Sequence, residues 1–141
     1  TENLQLNLSG DYQHSTYKDN PAIEGNDVQR QPKLQFRFSP TYRIPLGDGN
    51  SVKLYGTYTH IGARWADQAN LSYLPRYNTI DAGILASLGE HWELRVAGTN
   101  LGNKLGLTEG NSRLTGAQAS GPINARPIFG RAIEISAAYK F

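Results

Sequence analysis

Apolar and polar residues alternate with a period of two along most of the chain, the spacing of an extended strand with one dry and one wet face. The alternation is cleanest in residues 126–141. There Phe129, Arg131, Ile133, Ile135, Ala137, Tyr139 and Phe141 share one side, and Gly130, Ala132, Glu134, Ser136, Ala138 and Lys140 share the other. From Ile133 onward the first side is apolar or aromatic throughout. The same period recurs in residues 4–17, where Leu4, Leu6, Leu8 and Tyr12 oppose Gln5, Asn7, Ser9 and Asp11. It returns in residues 34–44, where Leu34, Phe36, Phe38, Tyr42 and Ile44 oppose Gln35, Arg37, Ser39, Thr41 and Arg43. Pro40 lacks a ladder donor and predicts a bulge or irregularity in that strand. Residues 52–65, 80–88 and 92–99 complete about six strands by the same periodicity, with Ile61 breaking the pattern of the third.

The connections alternate in length. Gly47-Asp48-Gly49-Asn50 and Gly89-Glu90-His91 supply tight hairpin turns, whereas residues 18–31, 66–78 and 100–127 are long, polar and rich in Gly, Pro, Asn or Ser. Antiparallel strands joined in this way place the short turns at one end and the long loops at the other. That asymmetry, with an apolar outer band and aromatic girdles, belongs to outer-membrane barrels. Trp92, Tyr139, Phe141 and Tyr42 would mark the inner boundary, and Tyr12, Tyr58 and Phe129 the outer one. A soluble β-sandwich or ligand-binding barrel shares the period. Against it, Arg37, Arg43, Lys53, Arg95, Glu93, Glu134 and Lys140 crowd one face, and no second layer is evident to cover the apolar one.

Composition narrows the chemistry. The chain has 141 residues, no Cys, no Met and a net charge of +2, so it offers neither a disulfide nor a thiolate metal site. Scattered charges give no polybasic footprint for nucleic acid. His14, His60 and His91 lie far apart, without metal-ligand spacing, and neither a nucleophile elbow nor a phosphate-binding Gly-rich loop is present, so neither an enzyme nor a cofactor site is expected. No apolar run reaches the roughly 18 residues of a membrane-spanning helix.

Three segments carry a family resemblance: Leu-Pro-Arg-Tyr-Asn-Thr-Ile-Asp-Ala-Gly at 74–83, Trp-Glu-Leu-Arg-Val-Ala-Gly-Thr-Asn-Leu-Gly-Asn-Lys at 92–104, and Ala-Tyr-Lys-Phe at 138–141. They resemble the C-terminal part of TonB-dependent outer-membrane receptors, in which a Pro-x-Tyr loop exit with a following Asp precedes a strand ending in Asn-Leu-x-Asn-Lys, and the last strand ends in an aromatic. The resemblance implies an all-β, antiparallel up-and-down transmembrane barrel of about 22 strands around a plugged lumen. Residues 1–141 would be its C-terminal segment, with the plug and the TonB-binding box outside them. A membrane barrel needs at least about eight strands. The alternative is a further hairpin hidden in 18–31 or 100–127, which would give a small eight-stranded structural or adhesion barrel.

What the resemblance implies in function is TonB-dependent import of a scarce, bulky ligand, such as a ferric siderophore, cobalamin or an oligosaccharide, across the bacterial outer membrane. Tyr73, Arg76 and Tyr77 in the second long loop, and Lys104, Glu109, Arg113 and Arg126 in the third, are the candidate ligand contacts, since aromatic rings and guanidinium groups suit such ligands. Arg37, Arg43, Arg95 and Glu134 would face the lumen and pair with each other or with the plug. Ile135, Ala137, Tyr139 and Phe141 would form the signal read by the barrel-assembly machinery. The other implied partners are outer-membrane lipid and lipopolysaccharide, the remaining barrel strands and plug, and TonB through that plug.

Overall fold

A computed structural model describes residues 2–111 and 124–141 of the chain. Six strands form one antiparallel sheet: β1 (Leu4–Tyr12), β2 (Leu34–Gly47), β3 (Asn50–Ile61), β6 (Tyr77–Leu88), β7 (Trp92–Thr99) and β10 (Ala132–Tyr139), each paired to its predecessor in that order. Two short hairpins stand apart from it. One is β4 (Arg64–Trp65) with β5 (Tyr73–Leu74), and the other is β8 (Leu107–Gly110) with β9 (Ala125–Pro127). The third long connection thus does contain a hairpin, but it forms its own sheet, so the main sheet stays at six strands.

Register turns the alternation of single strands into two continuous surfaces, because residues directly opposite in an antiparallel pair point to the same side. One row runs Leu4, Tyr42, Leu54, Ile84, Val96, Ile135 across all six strands. The adjacent row on the other face runs Gln5, Thr41, Tyr55, Gly83, Ala97, Glu134. Ile61, which breaks the pattern, lies on the polar face opposite Tyr77. Among the described residues nothing covers the apolar face: Leu8 is 73% exposed and Ile135 77% exposed.

The end of the sheet that carries the short turns is closed tightly. Asp48 and Gly49 both take positive φ, 50° and 76°, which is the geometry of a two-residue hairpin turn whose twist matches its strands. Trp92 pairs directly with Tyr139, their rings 5.0 Å apart, and Phe141 meets Tyr139 edge-on at 5.1 Å.

Several boundaries differ from the sequence expectation. Pro40 produces no bulge. The β2–β3 register is the same on either side of it, and the Ser39 and Thr57 hydroxyls bond at 3.1 Å beside the gap in the ladder. The irregularity falls between Pro45 and Gly47 instead, next to the turn, where a shift in register costs little downstream pairing. The terminal strand begins only at Ala132, and Phe129 stands before it at 94% exposure rather than in the sheet. Tyr77, expected in a loop, opens β6.

Candidate functional site

The polar face of the sheet forms a wall, and the long loops form a cap at one end of it. On the wall, the ring of Tyr55 lies across Gly83, where any Cβ would collide with it. That position lets the Tyr55 hydroxyl accept a hydrogen bond from Arg95 Nε at 2.9 Å. Arg95 Nη1 in turn bonds Glu134 at 3.1 Å. The neighbouring row brings Arg43, Lys53, Leu85, Arg95 and Ser136 into line, so three cations stand along one register line. Arg37 sits between the hydroxyl-bearing Ser9 and Thr59. All four charges expected on the polar face are therefore there. Of these, Arg95 pairs with Glu134, while Arg37 and Arg43 have no carboxylate within 4.0 Å among the described residues.

The cap holds most of the buried side chains among the described residues. Leu74 and Ser72 are fully enclosed, and Ala66, Asp67, Arg64 and Asn100 nearly so. Asp67 closes its loop by accepting the Leu71 amide at 3.1 Å and the Ser72 amide at 2.7 Å. Burial pushes its carboxyl up, but these bonds, together with the Ser72 hydroxyl and the Ala69 amide, outweigh burial and hold it below the ordinary carboxylate value. Asn70, at positive φ, bonds both ways to the backbone of Asp27, 2.8 Å to its amide and 2.9 Å to its carbonyl, and so ties the first long loop to the second. Arg64 reaches from the second loop to the carbonyls of Leu107 and Thr108 in the third.

The two motifs quoted above meet here. Asp81 accepts the Asn100 amide at 2.7 Å. The Asn100 side chain then bonds the Lys104 amide and carbonyl, each at 2.9 Å, and the Phe129 carbonyl at 3.0 Å. Asn103 Oδ1 accepts the Arg131 amide at 3.1 Å. Asn100 and Asn103 both have positive φ, which Asn tolerates better than other side chains. The Asn-Leu-x-Asn-Lys run is thus a folded corner that delivers the chain into β10.

The candidate ligand residues are dispersed over this cap. Tyr73 is half exposed on β5, edge-on to Trp65 at 5.2 Å. Arg76 and Lys104 are exposed. Glu109 and Arg126 are register partners on β8 and β9, with their charges 3.6 Å apart. Tyr77 lies beneath Arg64. Arg113 lies outside the described residues. The three histidines stay apart: His14 contacts Asp27, His60 contacts Asn78, and His91 contacts the Lys140 carbonyl. Sequence reasoning missed Arg64, Asp67 and Asn70. Asp67 leaves a local trace, an Asp followed by loop formers, whereas the partners of Arg64 and Asn70 lie about 43 positions away.

Residues 2–101 match the family model described as TonB dependent receptor-like, beta-barrel. No curated protein sequence matches the chain. The ferric yersiniabactin uptake receptor FyuA from Yersinia pestis superposes with a TM-score of 0.84 at 20% identity, over 100% of this chain and 22% of that one. BauA, the ferric preacinetobactin receptor from Acinetobacter baumannii, gives 0.78 at 16% identity, and the siderophore receptor PiuA from the same organism 0.74 at 19%, each over 100% of this chain and 20% of theirs. The chain thus spans about a fifth of the length of these receptors.

Proposed function

Because the chain belongs to the TonB-dependent receptor-like β-barrel family, an outer-membrane family of receptors rather than enzymes, we propose that it is part of the barrel of a receptor that imports a ferric siderophore. The observation that carries this reading is the six-stranded sheet with one uncovered apolar face, one charged face and all its long loops at one end. Lipid covers the first face and a wet lumen the second. β1 and β10 each have one free edge in hydrocarbon, where unpaired backbone groups are costly, so further strands complete the barrel. A plug in that lumen, with its TonB-binding segment, is the second implied part, and Arg37 and Arg43 face it. Tyr73, Arg76, Lys104, Glu109 and Arg126 are the cap residues offered to ligand, together with Arg113 of the third long loop, which lies outside the described residues.

The siderophore class is favoured over cobalamin and oligosaccharide because three solved receptors of this shape carry that description. Uptake of radiolabelled iron with a panel of purified siderophores, in cells with and without TonB, tests it. TonB-dependent accumulation with one siderophore is expected; growth rescue by cobalamin or an oligosaccharide instead would overturn the ligand class. Assembly is tested separately. Deleting Phe141 lowers surface levels of the full receptor more than Phe129→Ala, whereas equal levels would remove Ile135, Ala137, Tyr139 and Phe141 as an assembly signal. A small eight-stranded barrel is disfavoured, because among the described residues the β8–β9 hairpin pairs with itself and not with the main sheet.

A further inference from the structure

Arg64 is only 7% exposed, yet it meets no carboxylate among the described residues. Among the described residues its guanidinium is held by main-chain oxygens: Nη2 donates to Leu107 at 2.8 Å and Thr108 at 3.1 Å, and Nη1 to Gly62 at 3.4 Å. Its Cζ stands 5.8 Å from the centroid of the Tyr77 ring. Gly106 is pressed against that same ring, since a Cβ there would lie 2.7 Å from Cγ and Cδ2 of Tyr77. The Gly106 carbonyl in turn accepts the Ile128 amide at 2.8 Å, at the far side of the β8–β9 hairpin.

A buried cation is costly unless its donors are satisfied and its charge is spread. Here both conditions are met by one loop acting on another: β8 supplies two carbonyls, and β6 supplies the ring. The fixed directions of a guanidinium let Nη2 reach both β8 carbonyls while Nη1 turns to Gly62 and the charge stays near the ring, a set of contacts a lysine ammonium does not reproduce. We propose that Arg64 is a positioning residue, clasping the β8–β9 hairpin to the second long loop over the Tyr77 ring, so that the ligand-facing parts of both loops move as one body. Only the phrase ligand-facing rests on the import reading; the clasp does not. Tyr77 is then a platform in the cap rather than a contact to cargo.

The test uses the full-length receptor in detergent micelles. Residues 1–141 hold no Cys, so Glu109→Cys can carry a nitroxide label on β8, with Glu24→Cys in the first long loop as the control position. With Arg64 intact, the label at 109 is immobilised. Arg64→Ala sharpens its spectrum and speeds proteolysis within 100–131 by about tenfold, as expected for losing hydrogen bonds to a charged group. Arg64→Lys falls between, and the label at 24 is unchanged by either. Tyr77→Phe keeps the label immobile and Tyr77→Leu frees it, a comparison that stands if Arg64→Ala fails to reach the heat-modifiable folded form. The Arg64→Ala, Tyr77→Leu pair is no more mobile than either alone. A label that stays immobile in Arg64→Ala or in Tyr77→Leu, or one freed equally at 24, overturns the clasp. Neither ligand nor TonB enters the measurement, so failure of import leaves its result intact.

Discussion

The sheet and the cap are built on opposite terms. In the sheet, regular backbone pairing leaves large apolar side chains outward, so that Leu8 and Ile84 are more than half exposed within the chain. In the cap, irregular backbone is held by polar side chains that are themselves buried, namely Arg64, Asp67, Ser72 and Asn100. The difference follows from the surroundings. A strand in a bilayer satisfies its own backbone through its neighbours and asks of its side chains only that they be apolar. A loop in water has unpaired backbone groups wherever it folds back on itself, and side-chain amides, carboxylates and guanidinium groups must cap them.

The largest expected break is on the apolar face. Ile84→Arg lies in the middle row of the sheet and destabilises the full receptor in bilayers by about 2–4 kcal/mol, while Thr57→Arg on the polar face changes it by less than about 1 kcal/mol; urea unfolding in liposomes measures both. Equal losses would mean that the two faces share one environment. In the cap, Asn100→Ala removes the ties to Lys104 and Phe129 and costs about 2 kcal/mol, read as faster amide exchange at Lys104 with the sheet unaffected.

A pH dependence separates the regions further. The Asp67 carboxyl is held below its ordinary value, so its stabilisation is complete above the unfolded value of about 3.9 and is lost as pH falls through the lower folded one. Protection of the Leu71 and Ser72 amides therefore collapses on acidification in the parent and is already reduced, with little pH dependence, in Asp67→Asn. The smallest effect belongs to Glu109→Gln. Its partner Arg126 is largely exposed, and the pair contributes at most about 0.5 kcal/mol, vanishing at high salt.

The two regions also differ in how far sequence reveals them. The strands were legible because a period of two persists over eight to fourteen residues, and because Asp-Gly and Gly-Glu-His are turn formers at the junctions. Proline was the misleading signal. At Pro40 the strand passes through in register, since a missing donor removes one ladder bond without displacing its neighbours. Hairpins of two to four residues, such as β4–β5 and β8–β9, are too short to show any period. The cap was mostly illegible for a further reason. Arg64 meets Leu107 and Asn70 meets Asp27 across 43 positions, and nothing near either residue announces its partner. Asn100 is intermediate: its motif was visible, but its work as a corner became evident only with Asp81 beside it.

The alternation of short and long connections also grades the entropy of closing each pair of strands. Hairpins β2–β3 and β6–β7 close over two or three residues, a microsecond process for a free chain, whereas joining β3 to β6 requires closing the segment 62–76. The chain's two tryptophans stand on either side of that divide, Trp92 within a hairpin and Trp65 in the segment that must close between two of them. Trp92 reports on a hairpin of the main sheet, and Trp65, packed on Tyr73, on the β4–β5 hairpin inside the connection between two of them.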